Sequence, residues 1–263
     1  MSQAVLVVLL KPPPVARKKM FQWTPPSDNG GHFWFLKEWV ENMNWAALSQ
    51  SSQAVFPVLA IHADSSGLCF PGEDRIAALS GITEKTAREG LRGLDGFPAY
   101  SGFQFYKTGK GKRGRKYQLS LPRAKVDDGQ AFPFHRIIVE GGNWAQLLPS
   151  AKALYVGMRY FGYFDEYLYH EYQDENFSFC DDEGGVFGDR KCDFCCADYI
   201  RLARYAGIHR NQVGKVINNL IEHCLAERII DDGRELFKVY LRPPKYYKTS
   251  CLNEQLMSRR KSK

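Results

Sequence analysis

No apolar run in the sequence is long enough to cross a bilayer. The N-terminal stretch Ala4-Val5-Leu6-Val7-Val8-Leu9-Leu10 has seven apolar residues, against the roughly 20 that a membrane helix needs. No Lys or Arg precedes it, so it also makes a poor secretion signal. It reads as a strand or an arm, and no membrane partner is expected. Phosphate-binding Gly-Lys-Ser/Thr loops and Gly-x-Ser-x-Gly elbows are missing, which removes the commonest nucleotide-hydrolase and serine-hydrolase signatures. The six histidines stand at 32, 62, 135, 170, 209 and 223, and no pair has the spacing of a metal-dependent strand-nicking centre. The seven cysteines are odd in number, which argues for a reducing cytoplasm rather than a disulfide framework. A non-enzyme is expected.

What is present is an unequal spread of charge. The 263 residues carry a formal net charge of +7, with a pI near 9.0. Residues 1–125 hold 17 Lys/Arg and 9 Asp/Glu, whereas 126–263 hold 19 and 20. A basic half favours a polyanionic partner. Lys11-Pro-Pro-Pro14 with Arg17-Lys18-Lys19, and the closing Arg259-Arg260-Lys261-Ser262-Lys263, read as a basic linker and a basic tail able to add phosphate contacts.

The chain also repeats itself. At an offset of 99, residues 33–59 fall on 132–158 without a gap, and ten of 27 positions are identical, among them Phe33/Phe132, Phe35/Phe134, Trp45/Trp144, Ala46/Ala145 and Ala54/Ala153. At an offset of 126, Ile76-Ala-Ala-Leu-Ser-Gly81-Ile82 falls on Leu202-Ala-Arg-Tyr-Ala-Gly207-Ile208. The difference is a 27-residue insertion in the second copy, between about Gly162 and Cys195. A unit of this length is a domain duplication rather than a solenoid. The expected organisation is an arm over 1–30, a first domain over 31–124, a linker over 125–131, a second domain over 132–244 and a tail over 245–263.

Within the first copy, periodicity predicts a helix over 49–62, a turn at Asp64-Ser-Ser-Gly67, a short helix over 73–79, a tight turn at Gly81, and a helix over 84–94 capped by Thr83. Ala87, Leu91 and Leu94 share its inner face, and Lys85, Thr86, Arg88 and Arg92 are its candidate DNA contacts. Two helices around a Gly-containing turn form a helix-turn-helix signature. Strands over 100–106 and 116–121 follow, joined by a basic loop with Lys107, Lys110, Lys112, Arg113, Arg115 and Lys116. Such a loop suits a wing on the phosphate backbone. The first domain is therefore expected to dominate binding. The second copy predicts helices over 150–160, 197–205 and 210–224, the last offering Arg210, Asn211, Lys215 and Asn218, since Asn and Arg can read adenine and guanine edges. Its hairpin over 227–241 carries an acidic tip, Asp231-Asp232, which either leaves base reading to the helix or serves a protein partner.

The run Ser52-Gln-Ala-Val-Phe-Pro-Val-Leu-Ala-Ile-His-Ala-Asp64, then Gly67-Leu-Cys-Phe-Pro71, then Ile76-Ala-Ala-Leu-Ser-Gly-Ile-Thr83, resembles the helix-turn-helix module of plasmid and phage replication initiators and related bacterial regulators. The resemblance spans about 33–122 well and 132–242 more loosely. It implies an α+β fold of tandem winged-helix domains, double-stranded DNA as partner, and a place on the nucleoid in the cytoplasm. Replication initiation or transcription control on a mobile element or bacterial-type genome is the leading expectation. The competing one is an adaptor whose acidic second domain binds a protein, or a second copy of the chain, while the first anchors DNA. In the insertion, Cys192-x-x-Cys195 has half-knuckle spacing for zinc. Cys180 with Cys196 or His170 would complete a tetrahedron. Unligated thiols are the other reading, and no further cofactor is indicated.

Overall fold

The computed structural model describes residues 31–95, 105–111, 114–119, 130–163, 168 and 192–243. The arm, the basic tail and most of the insertion lie outside the described residues. Each copy opens with a short strand, β1 (His32–Leu36) or β5 (Ala131–His135), then two one-turn helices, α1 (Lys37–Glu41) and α2 (Asn44–Ala47) in the first copy, α6 (Arg136–Glu140) and α7 (Asn143–Gln146) in the second. A long buried helix follows, α3 (Gln50–His62) or α8 (Pro149–Phe161). Next comes a pair of helices around a tight turn: α4 (Glu73–Ser80) and α5 (Glu84–Asp95) in the first copy, α9 (Tyr199–Ala206) and α10 (Val213–Glu222) in the second, the latter entered through a 3-10 turn at Arg210–Gln212. Each copy ends in a three-stranded antiparallel sheet. The first orders β2 (Leu68–Cys69), β4 (Gly114–Leu119) and β3 (Phe105–Gly111), and the second orders β6 (Cys192–Cys195), β8 (Arg234–Tyr240) and β7 (Ala226–Asp231). The fold is thus mixed helix and strand.

Local chemistry explains the boundaries. Ser49 caps α3 by accepting from Ser52 N at 3.1 Å, and Thr83 caps α5 by accepting from Thr86 N at 3.2 Å. Asp198 caps α9 by accepting from Ile200 N and Arg201 N at 2.9 and 2.8 Å. Each satisfies amide donors that the first helical turn leaves open. Asp64 makes the turn before β2 by accepting from Ser66 N and Leu68 N. These bonds hold its carboxyl below the usual range, the Ser66 hydroxyl contributing most. In the second hairpin, Asp232 (φ 47°) and Gly233 (φ 73°) form a two-residue turn, the geometry whose twist matches antiparallel strands.

The two copies share one core, and their contacts repeat about a pseudo-twofold axis. β1 pairs antiparallel with β5, Trp34 opposite Pro133 at the centre. Phe33 therefore faces Phe134, and Phe35 faces Phe132, each stacked at 5.1 Å between centroids. The pairing is extended at both ends by equivalent bonds, Lys37 N to Gln130 O at 2.8 Å and Arg136 N to Gly31 O at 2.7 Å. Above it, the Trp45 indole donates to Ala153 O at 3.1 Å and the Trp144 indole donates to Ala54 O at 2.9 Å. All four residues are fully buried. Their large rings supply apolar area while each N–H finds the partner that burial demands. The boundary expected at 131/132 thus falls inside β5, and the lead-in strands join the copies.

The same seam fixes the turns between the paired helices. Gly81 (φ +65°) lies against Ala145, where a Cβ would meet Ala145 O at 1.7 Å; Gly207 (φ +69°) lies against Ala46, where a Cβ would meet Ala46 O at 2.3 Å. Only glycine meets both the left-handed backbone and the close approach. Symmetry breaks at α8. Lys152, fully buried, takes the place that Gln53 holds in the first copy and donates to Leu147 O at 2.5 Å. Burial pulls its ammonium down to about 8. Arg159, where the first copy has Ala60, pairs with Asp193 of β6 at 2.6 Å and donates to Pro133 O at 3.1 Å. This buried pair pins the second sheet to β5. His135 at the end of β5 is held well below its usual range by burial first, then by the nearby Arg242 and Arg159 guanidinium groups and the His32 ring.

Two predictions follow from the shared core. Urea unfolding read by tryptophan fluorescence and by far-UV circular dichroism gives one coincident transition, and Gly207→Ala lowers the unfolding free energy by about 2 kcal/mol or more. Two separated transitions would show that the copies fold independently. For Lys152, the unfolded chain keeps a proton between about pH 8 and 10.5 that the folded lysine has lost. The Lys152 contribution to stability therefore rises with pH across that window by roughly 2–3 kcal/mol. Chemical denaturation at a series of pH values checks this: stability of wild type minus that of Lys152→Gln increases from about pH 8 to 10.5.

Candidate nucleic-acid interface

The first copy presents α5 as its exposed helix. Ala87, Gly90, Leu91 and Leu94 are buried, and a Cβ on Gly90 would stand 2.6 Å from Ser51 O, so α5 lies directly on α3. Lys85, Arg88 and Arg92 face outward as expected, and Thr86 is half-buried with its hydroxyl 2.9 Å from that of Thr83. Carboxylates share this face. Arg88 Nε donates to Glu73 Oε2 at 2.7 Å and its Nη2 to Glu84 Oε2 at 3.0 Å, which raises the guanidinium above its usual range. Residues 73–95 contain five Asp/Glu against four Lys/Arg, so the helix pair carries no net positive charge.

The basic segment after α5 differs from expectation. Its strands are not interrupted by a long loop: β3 runs to Gly111 and β4 resumes at Gly114. Lys107 pairs in register with Tyr117, and Lys110 with Arg115, across a bulge between Thr108 and Lys110. The cations are therefore strung along a two-stranded ribbon whose cross-strand bonds outweigh the weak strand preference of lysine. Lys112 and Arg113 lie outside the described residues. Lys116 is exposed, its ammonium 5.6 Å from the ring centroid of Phe70, itself half exposed.

The second copy presents a different surface. Val213, Val216, Ile217 and Leu220 of α10 are buried. Arg210, Asn211, Gln212, Lys215 and Asn218 are exposed, and so are Arg201 and Arg204 on α9. Asn211 N donates to His209 Nδ1 at 3.3 Å, which stiffens the entry turn. Asn219 is committed to structure, accepting from Leu148 N at 2.9 Å. Residues 199–221 contain no Asp or Glu at all, and Arg201 approaches the Asp198 cap at only 3.8 Å. Arg201, Arg204 and Gln212 were not singled out from the sequence. The signal was available as a carboxylate-free interval, hidden because the acidic insertion and hairpin dominate the charge of that half. The hairpin keeps its carboxylates in cross-strand pairs, Arg228–Glu235 at 2.9 Å and Lys238–Glu227 at 3.6 Å, while its tip exposes Asp232 and, next to it, Ile230.

The cysteines correct one expectation. Cys192 and Cys195 are not on a knuckle turn but on strand β6, where a three-residue separation points side chains to opposite faces. Cys195 enters the main core with Phe237, and Cys192 enters a smaller cluster with Phe194 and Leu236. The two therefore do not converge on one ion. Cys196 is exposed, and Cys180 lies outside the described residues. Among the described residues no group of three His, Cys, Asp or Glu could hold a metal, and no helix is long and apolar enough to cross a membrane. Compared with known proteins, the chain matches no family model, no curated protein and no solved structure.

Burial pushes the thiols of Cys69 and Cys195 up to about 12. Alkylation of the native protein at pH 8, mapped by mass spectrometry, should label Cys196 while Cys69 and Cys195 stay protected until denaturant is added. Early labelling of Cys195 would contradict the strand assignment.

Proposed function

We propose that the chain is a double-stranded DNA-binding protein built from tandem winged-helix units, acting as a replication initiator or transcriptional regulator rather than as a catalyst. The observation that carries this reading is the exposed face of α9 and α10, where Arg201, Arg204, Arg210, Asn211, Gln212, Lys215 and Asn218 stand together in an interval free of Asp and Glu. Amides and guanidinium groups on a helix that follows a tight turn suit base edges in the major groove. Neighbouring cations suit phosphate and release counterions. The equivalent helix α5 and the cation-bearing ribbon β3–β4 give the first copy the same plan. An internal pseudo-twofold axis relating the helix pairs matches a duplex site with inverted halves. Because the two faces differ in composition, the halves of that site differ in sequence.

A second reading has its own observation. The β7–β8 tip combines Asp232 with Ile230, 60% exposed, a pairing that repels phosphate and suits a protein surface. In that reading the second copy docks a protein and the first anchors DNA.

Selection of duplexes from a random pool by the full chain at physiological salt separates these readings. The expected result is an enriched motif with two unlike, inverted halves. Arg210→Ala should weaken the selected site by about 1–3 kcal/mol while sparing random DNA. Arg204→Ala should weaken both and lower the salt slope by about one. Binding without an enriched motif, unchanged by Arg210→Ala, would favour the docking role.

A further inference from the structure

We propose that Glu73 and Glu84 are positioning residues that hold Arg88 ready to read a guanine. This rests on the reading that α5 enters the major groove. A guanidinium has five N–H groups in a rigid plane. In the structure two of its nitrogens are engaged: Nε donates to Glu73 Oε2 at 2.7 Å and Nη2 to Glu84 Oε2 at 3.0 Å. Nη1 and one hydrogen of Nη2 meet no acceptor among the described residues; with Glu84 on the Nη2 hydrogen beside Nε, the end edge stays open. That edge presents two parallel N–H groups, the pattern that guanine O6 and N7 accept together.

The two carboxylates come from different elements. Glu73 opens α4 and Glu84 opens α5, one turn before Arg88. Arg88 bridges them at 47% side-chain exposure, so the guanidinium is fixed yet reaches solvent. A long side chain held this way has already lost much of its rotamer freedom before any base is met. The carboxylates also remove net positive charge from α5. Attraction for phosphate is thereby exchanged for discrimination between bases. The face of α10 has no such carboxylates, and its Arg210 is not held this way among the described residues.

The test uses the full chain, duplexes recovered by selection from a random pool, and the same duplexes carrying 7-deazaguanine at single positions, which removes N7. Wild type should lose about tenfold or more at one guanine, and Arg88→Ala should become indifferent to that substitution. Glu73→Gln and Glu84→Gln should each reduce the penalty at that guanine several-fold, while binding to random duplex strengthens because one negative charge has gone. Thermal midpoints near wild type would show that the variants fold. If either glutamine variant keeps the full guanine penalty and tightens specific and random binding equally, the carboxylates only neutralise charge and the positioning role is overturned. If no guanine depends on Arg88 although the chain binds DNA, the base-reading role of α5 fails instead, and the proposal with it.

Discussion

Everything in this molecule is arranged around the pairing of β1 with β5. Five residues from each copy form a two-stranded ribbon whose inward side is phenylalanine and whose ends are closed by equivalent backbone bonds. An isolated two-stranded ribbon is marginal in water. Here it survives because each copy also inserts a tryptophan whose indole donates to the other copy's long helix. Each such bond contributes on the order of 1 kcal/mol net, but leaving either buried N–H or carbonyl unmatched would cost more. The reciprocal arrangement means that neither copy can close its own core alone. This is the physical reason that Phe33, Phe35, Trp45 and Ala54 recur as Phe132, Phe134, Trp144 and Ala153.

Divergence also reaches the buried positions beside the seam. Lys152 and Arg159 replace a glutamine and an alanine in the second copy, and the buried Arg159–Asp193 pair ties β6 to β5 through α8. Such a pair is poor evidence of net stability, since desolvation offsets most of its attraction. Its value is geometric: once Asp193 must reach Arg159, the register of β6 on β8 is set, and with it the strand position of Cys192 and Cys195. The cysteine spacing that suggests a zinc knuckle is thus a strand with its two faces in two apolar clusters.

The duplication and the helices were legible because both are local properties. Offsets of 99 and 126 appear on sliding the sequence, and the cap Thr83 stands one residue before the helix it starts. The β1–β5 ribbon was not legible, since five-residue apolar segments separated by a whole domain carry no local mark of their partner. The ribbon of β3 and β4 was misjudged for a related reason. Glycine and lysine in Lys107–Lys116 have loop preferences, and cross-strand bonding outweighs them. The charge of the α9–α10 face was obscured by averaging over half the chain. Charge counted element by element, rather than half by half, separates residues 199–221 from their acidic surroundings.

The turn glycines connect the seam to the surface. Gly81 and Gly207 each lie against a short helix of the opposite copy, Gly81 against Ala145 and Gly207 against Ala46. The turn that aims α5 is therefore braced by the second copy, and the turn that aims α10 is braced by the first. Close-packed contacts of this kind transmit displacement rather than absorb it. A partner engaging either helix pair meets an orientation already fixed by the other copy, so little ordering cost remains to oppose binding. The same bracing forbids the two pairs from adjusting their spacing independently. On the proposed reading, a duplex engaging both would have to present its halves at the separation the β1–β5 ribbon imposes, or bend to reach it, at a cost that rises with the stiffness of the intervening sequence.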